Sequence, residues 1–141
     1  MLYGEYKHTV DKKGRISIPS KLRDDLGDSF IISKGIEGNP CLCIYSNEEW
    51  QALDEKIRQL PTMKSSKAKR FLYSGANKLE CDANGRVVIP PLLRDYAGIE
   101  ATATILGMST HIEIWNTEAW ETESEQYTPE SIAEIMEGLD F

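Results

Sequence analysis

Two copies of one short pattern carry the sharpest chemistry in the sequence. Asp11 precedes Arg15 by four residues, and Asp82 precedes Arg86 by the same distance. A glycine within each pattern is typical of a tight turn, which brings the carboxylate and the guanidinium close enough to pair. The pair can simply pin its turn, although an exposed ion pair adds little stability. Alternatively, Asp holds the guanidinium plane so that Arg can donate two hydrogen bonds to guanine O6 and N7.

Use in recognition is the interpretation we favour, because both members of the pair occur in both copies. A two-stranded β-ribbon is narrow enough to enter the major groove of DNA. Lys12 and Lys13, between Asp11 and Arg15, would then contact phosphates, where they add affinity but read no sequence.

Motifs for catalysis and for nucleotide binding are absent from the sequence. His8 and His111 are its only histidines, and neither has a nucleophile or an orienting acid at a motif spacing. Neither the glycine-rich phosphate loop nor the dinucleotide fingerprint occurs. We therefore expect no catalytic residue, no cofactor and no enzyme activity.

The three cysteines are Cys41, Cys43 and Cys81. An odd number with a single C-x-C spacing fits neither a disulfide framework nor a paired zinc motif. A metal site built from these cysteines and His111 stays open, but alternation along a strand explains the C-x-C spacing as simply. We expect buried, reduced cysteines and no bound metal.

An internal repeat underlies the two copies. Residues 4–19 match residues 75–90 at a constant offset of 71, with Gly, Lys, Asp, Gly, Arg, Ile and Pro in common, and the match continues to Gly27 and Gly98. A second correspondence, at an offset of 70, places Ile44 over Ile114 and Trp50 over Trp120. We therefore predict a first repeat with its helix at 1–60, a linking helix at 61–74, a second repeat with its helix at 75–127, and an acidic helix or tail at 128–141.

Local patterns predict the elements within each repeat. Residues 3–10 and 16–18 read as two strands of a β-hairpin, and Asn84-Gly85 is a strong hairpin signal in the second copy. Short helices follow at 21–26, capped by Ser20, and from Pro91, and glycines end both. The apolar runs 30–33, 42–45, 102–106 and 112–115 read as strands. Ser46 and Thr128 begin later helices.

Charge is distributed unevenly along the chain. The net charge of −7 argues at first against a nucleic-acid partner, but residues 117–141 hold eight acidic side chains and no Lys or Arg, so residues 1–116 carry +1. No apolar run approaches the roughly 20 residues that span a bilayer, and no secretion signal opens the sequence, so we expect neither secretion nor membrane insertion.

The duplicated Asp-x-x-x-Arg turn, the segments 14–19 and 85–90, and the start at 1–6 closely resemble MraZ, a family of bacterial transcriptional regulators, over practically the entire chain. That family is grouped with the AbrB-like swapped-hairpin proteins. The resemblance implies an α+β, β-rich fold in which two AbrB-like swapped-hairpin modules form a small pseudo-two-fold β-barrel with flanking helices. One chain would thus form by itself the barrel that AbrB-like relatives form as a dimer.

The resemblance also implies a function. Members of the family form rings, bind short direct repeats of double-stranded DNA in their own promoter region, and control the cluster of division and cell-wall genes. It therefore implies a cytoplasmic, nucleoid-associated homo-oligomer with these DNA-binding residues: Asp11, Lys12, Lys13, Arg15, Asp82, Asn84 and Arg86. Because Lys12-Lys13 becomes Ala83-Asn84 in the second copy, we expect the first copy to bind more tightly.

Two other functions remain open at this point. The chain could be a protein-interaction module whose acidic tail recognises a partner, or a metal-dependent hydrolase that uses Cys41, Cys43 and Asp residues. Arg23 and Arg94 also recur in both copies; they could reach DNA or pair with Asp24, Asp95 or a neighbouring chain.

Overall fold

The computed structural model describes residues 1–36 and 40–140. These residues form eight strands and six helices. In chain order the elements are β1 (Glu5–Thr9), β2 (Arg15–Ser17), α1 (Ser20–Leu26), β3 (Ser29–Lys34), β4 (Leu42–Ser46), α2 (Asn47–Arg58), α3 (Thr62–Ser74), β5 (Asn77–Glu80), β6 (Arg86–Val88), α4 (Pro91–Ala97), β7 (Thr102–Gly107), β8 (His111–Asn116), α5 (Thr117–Ser124) and α6 (Pro129–Ile135).

The strands of the two repeats alternate in space. Six of them form one antiparallel sheet in the order β1-β7-β8-β4-β3-β5, and β2 pairs with β6 in a separate two-stranded sheet, here called the ribbon. Exchanging the repeats maps each pairing onto another: β1 on β7 corresponds to β5 on β3, while β4 on β8 and β2 on β6 map onto themselves. The sheets therefore have an internal pseudo-two-fold relation.

The mixed α+β, sheet-rich class is confirmed, but the predicted barrel is not. Within the described residues the six-stranded sheet ends at β1 and β5, and no closed barrel is found. The simple hairpin prediction is wrong in its pairing. The turn between β1 and β2 forms, yet β1 pairs with β7 and β2 with β6, so each strand finds its partner in the other repeat.

A single large apolar core unites the strands and the short helices of both repeats. Its largest fully buried side chains come from one face of the sheet, from the ribbon and the residues just after it, from α1 and from α4: Ile16, Ile18, Leu22, Phe30, Ile32, Leu42, Ile44, Ile89, Leu93, Ile105, Ile112 and Ile114. Removing such side chains from water is the main favourable term in folding. The core therefore joins residues of both repeats in one apolar cluster.

Most helix ends follow the residues that predicted them. The Ser46 hydroxyl accepts a hydrogen bond from Glu49 N, and Thr128 forms a capping box with Ser131. Gly98 ends α4 in the left-handed conformation, at φ 65°. The Ser20 cap is wrong: Pro19 is the N-cap of α1, without a side-chain hydrogen bond, and Ser20 is already helical. Among the described residues no helix is long and apolar enough to span a membrane.

Candidate nucleic-acid interface

The first turn, residues 11–15, is held by a hydrogen-bonded Asp. Asp11 Oδ1 accepts from the backbone N–H of Lys13 at 3.0 Å and of Arg15 at 2.9 Å. Arg15 Nε donates to Asp11 Oδ2 at 2.6 Å. Gly14 has a φ of 81°, a conformation that side chains other than glycine rarely adopt, and its N–H donates to Asp11 O at 2.9 Å. One carboxylate thus closes the turn and orients the guanidinium.

The second turn, residues 82–86, repeats this frame. Asp82 Oδ1 accepts from Asn84 N and from Arg86 N, both at 2.9 Å, and Arg86 Nε donates to Asp82 Oδ2 at 3.1 Å. Gly85 has a φ of 75°. The structure therefore brings each predicted Asp–Arg pair together.

The same bonds keep both carboxyl groups ionised. The pKa of Asp11 lies below its usual 3.8, chiefly because the Arg15 backbone N–H donates to the charged form. The pKa of Asp82 is lowered for the matching reason, with the Arg86 backbone N–H as the largest cause. Each Arg consequently faces a full negative charge at neutral pH.

The ribbon has one inward and one outward face. Ile16 lies opposite Val87 at the centre of its antiparallel ladder, and each is 1% exposed within the main core. Directly opposed residues of an antiparallel pair point to the same side, and their neighbours along each strand point to the other. The residues on either side of this central pair therefore face outward.

Both arginines of the two turns lie on that outward face. Arg15 is opposite Val88, and Arg86 is opposite Ser17. Two residues along a strand and one strand across correspond to a Cα separation of about 8 to 9 Å. Their side chains are 32% and 31% exposed, and in the described part of the chain each bonds its Asp through Nε alone. The Nη groups of both arginines can therefore serve acceptors outside the chain.

Each turn is anchored by the opposite repeat. Ile18 N donates to Gly85 O, and Ile89 N donates to Gly14 O, both at 2.9 Å. The first turn therefore depends on residues near α4, and the second on residues near α1.

Arg23 and Arg94 add a second link across the repeats. A Cβ placed on Gly14 would lie 3.1 Å from Arg94 Cδ, and one placed on Gly85 would lie 2.7 Å from Arg23 Nη1. In residues 1–36 and 40–140, Nε of both arginines is buried without a hydrogen-bond partner, and neither arginine pairs with Asp24 or Asp95. The recurrence of Arg23 and Arg94 in the repeat was a signal in the sequence that both have a role. The sequence did not show which turn each arginine supports.

The other predicted residues lie in the turns but differ in character. Lys12, Lys13, Ala83 and Asn84 are all exposed. Lys12 and Arg94 also line a shallow cavity with a volume of about 430 Å³. The first turn thus presents two cationic side chains to solvent, where the second presents a methyl group and an amide.

The cysteines and His111 do not form the four-residue group that spacing left open. Cys41 and Cys43 are buried beside Glu113, while Cys81 is half-buried just before the second turn, and His111 stacks on a tyrosine with ring centroids 5.0 Å apart. The pKa of the Cys43 thiol is raised, first by its hydrogen bond with Cys41 and then by burial. Glu113 was not anticipated, although the offset of 70 aligns it with Cys43.

Comparison with known proteins places the chain in a family of regulators. The family model described as "MraZ protein, putative antitoxin-like" matches residues 1–70 and again residues 72–139. Two relatives bear the name transcriptional regulator MraZ: that of Acetivibrio thermocellus is 49% identical and covers 96% of each chain, and that of Caldicellulosiruptor saccharolyticus is 47% identical and covers 99% of each. The chain belongs to the MraZ family.

One solved structure is distantly similar. The solution structure of PHS018 from Pyrococcus horikoshii aligns with 81% of this chain and 88% of its own, at 22% identity and a TM-score of 0.35. This likeness is too low to inform the fold.

Proposed function

We propose that the protein is a sequence-specific DNA-binding transcriptional regulator, not an enzyme, and that it reads short direct repeats in its own promoter through Arg15 and Arg86. The observation that carries the proposal is the placement of both arginines on the outward face of one ribbon. The regulatory names of its relatives support the class of function.

The Asp–Arg pair suits base reading because it leaves the guanidinium preorganised. With Nε bonded to Asp11, the Nη groups of Arg15 have a restricted orientation. An Arg fork donates to guanine O6 and N7 in the major groove, and less rotamer freedom is lost when the plane is already set. The Asp82–Arg86 pair provides the same arrangement.

The dimensions of the ribbon fit a major groove. The groove is about 12 Å wide, and the arginine Cα atoms lie about 8 to 9 Å apart. With roughly 3.4 Å between base pairs, the two arginines would read bases two or three steps apart. Ser17 and Val88, on the same face, would lie over the neighbouring bases.

Charge near the turns would supply affinity. Lys12 and Lys13 would contact phosphates beside the first turn, and Arg23 and Arg94 add positive potential behind both turns. Most of the net negative charge of the chain comes from residues 117–141. The average charge therefore understates the potential at the ribbon.

Assembly and genomic target follow from the resemblance to the family. We propose a ring-shaped homo-oligomer, located in the cytoplasm with the nucleoid, that controls the division and cell-wall gene cluster. Repeated ribbons on a ring would engage direct repeats together if subunit spacing matches repeat spacing. We also retain the swapped-hairpin barrel and the boundaries 1–60, 61–74, 75–127 and 128–141 as proposals; residues 37–39 and 141 lie outside the described residues.

Fluorescence anisotropy on direct-repeat and scrambled DNA, at two salt concentrations, tests the proposal. The double variant Arg15→Ala with Arg86→Ala should lose the preference for the repeats while circular dichroism shows it folded. Arg58→Ala is the matched control, because Arg58 Nε also bonds an Asp four residues earlier, Asp54, but on α2. Full repeat preference in the double variant would refute the assignment.

A second candidate, a protein-binding module, is favoured by the C-terminal segment. The acidic helix α6 buries no side chain, and Ile135 and Leu139 are 77% and 62% exposed. Deletion of residues 128–141 separates the two functions. Loss of a partner protein with DNA binding intact would favour this candidate, whereas loss of DNA binding would tie the segment to the regulator itself.

A further inference from the structure

The face of the six-stranded sheet away from the ribbon holds a buried group of two thiols and one carboxylate. Cys41, Cys43 and Glu113 are 1%, 3% and 8% exposed. One candidate ligand atom from each lies within 4.8 Å of the other two. We call these three residues the thiol cluster.

Strand pairing explains why the cluster forms. Cys43 of the first repeat lies directly opposite Glu113 of the second in the β4–β8 ladder, so both side chains point to the same side. Cys41 is two residues before Cys43 and shares that side. The adjacent residues of the ladder, Ile112 and Ile114, point instead into the main core.

The carboxylate of Glu113 has one side-chain hydrogen bond and, among the described residues, no ion pair. Glu113 Oε1 accepts a hydrogen bond from the buried Trp115 Nε1 at 2.9 Å. Within the described residues no Lys or Arg forms an ion pair with it, and the ligand-type neighbours grouped with it are the two thiols. One hydrogen bond to one oxygen leaves the charge of a buried carboxylate without a counter-ion, which is costly, and sulfur lone pairs cannot supply the positive charge that a bound cation would.

Donor chemistry selects the class of ion. Cysteine sulfur favours thiophilic ions such as Zn²⁺ and Cu⁺, and a carboxylate oxygen favours Zn²⁺ over Cu⁺. Bonds of about 2.0 to 2.3 Å place tetrahedral ligand atoms roughly 3.3 to 3.8 Å apart. The 4.8 Å limit of the thiol cluster therefore exceeds a coordinating separation by about 1.0 to 1.5 Å, a distance that side-chain rotation covers.

Neighbouring residues already hold two of the three ligands. Trp115 fixes Glu113 while leaving its second oxygen available. A Cβ on Gly35 would lie 2.6 Å from Cys41 Sγ, so glycine at this position leaves room for the thiol, and Gly35 N donates to Cys41 O at 2.7 Å. Glu113 and the neighbouring Tyr45 are 8% and 9% exposed, so the side of the thiol cluster that they form is the part nearest to solvent.

We propose that Cys41, Cys43 and Glu113 bind a thiophilic divalent cation of the Zn²⁺ class, with a solvent molecule as fourth ligand. The ion clamps β4 of the first repeat to β8 of the second at the pseudo-two-fold position. Its site is on the opposite face of the sheet from the ribbon and includes none of the proposed DNA-reading residues.

Cobalt titration of the full-length, reduced and metal-free protein tests the site. We expect one Co²⁺ per chain, with thiolate-to-cobalt charge-transfer absorption that Zn²⁺ abolishes by displacement. Zn²⁺ should also raise the melting temperature, because it binds only the folded state. Absence of the charge-transfer absorption in the wild-type protein would overturn the proposal.

Variants assign the ligands. Cys41→Ser and Cys43→Ser should each weaken cobalt binding at least tenfold and reduce the charge-transfer intensity, while Cys81→Ser, the matched control, leaves both unchanged. Glu113→Gln retains the sulfur absorption but weakens binding about tenfold. Its amide oxygen can still accept from Trp115, so it tests the site even if a Cys variant fails to fold. An equal loss in Cys81→Ser, or wild-type affinity in Glu113→Gln, would refute the assignment.

Discussion

The first and second turns have the same frame and different loops. In both, an Asp carboxylate accepts two backbone N–H groups and the Nε of the following Arg, and a glycine at positive φ completes the turn. Between Asp and glycine, the first turn has Lys12 and Lys13, and the second has Ala83 and Asn84.

This difference separates two parts of DNA binding. The shared frame orients an Arg side chain, and that orientation governs the reading of bases. The unshared loops differ by two positive charges, which concerns attraction to phosphates and carries no sequence information. The turns should therefore be similar in specificity and different in affinity.

Loss of either arginine should have the largest effect. Arg15→Ala and Arg86→Ala should each weaken binding to the repeats by roughly 5- to 150-fold, equivalent to about 1 to 3 kcal/mol per lost base contact. Arg15→Ala should weaken binding more than Arg86→Ala does. The first turn also carries Lys12 and Lys13, and loss of Arg15 would displace their phosphate contacts. Anisotropy titrations against repeat and scrambled DNA measure both. A loss that is equal on the two DNAs would show that the arginines contact only the backbone.

Exchanging the loops should change affinity and leave specificity in place. Lys12→Ala with Lys13→Asn should weaken binding, and Ala83→Lys with Asn84→Lys should strengthen it. Each lost or gained phosphate contact should change the slope of log K against log salt by about 0.9, so by up to about 1.8 per loop. The ratio of repeat to scrambled affinity should stay constant. A change in that ratio would mean that the lysines read bases.

Arg94 and Arg23 test the crossed support of the turns. Arg94→Ala should disturb the first turn and Arg23→Ala the second, with a several-fold loss of DNA affinity, because each removes packing beneath the glycine of the other repeat. The amide resonances of Gly14 and Gly85 distinguish the two outcomes. Disturbance confined to the repeat that carries the substitution would contradict the crossed arrangement.

Acid should affect the two turns alike, and this is the smallest expected difference. Because the pKa of Asp11 and of Asp82 is lowered, their ionised bonds are fully present above the unfolded value of 3.8 and are lost only as the pH falls through the lower folded value. Carboxyl carbon shifts from NMR should thus stay constant from neutral pH to about 4 and move together below it. Different titration midpoints for Asp11 and Asp82 would show that the hydrogen-bonded frames of the two turns are not equivalent.

Much of the local structure was predictable because its causes are local. The glycines that end α1 and α4, the Ser46 cap and the apolar strands all depend on residues within a few positions of one another. The Asp–Arg turns belong to the same group, since every hydrogen bond that closes them spans four residues or fewer. The Ser20 cap failed because Pro19, with its fixed φ, already supplies the helix entrance.

The sequence by itself thus determined the duplication, the two turns and their charge difference, because composition and short-range geometry are sufficient for these. Only the tertiary structure decided that β2 pairs with β6, that both arginines share one outward face, and that Cys43 meets Glu113. The physical reason is that each repeat leaves strand edges and apolar faces that the other repeat can satisfy as well as its own residues can. Short-range patterns do not distinguish these partners, and burial of one common core does.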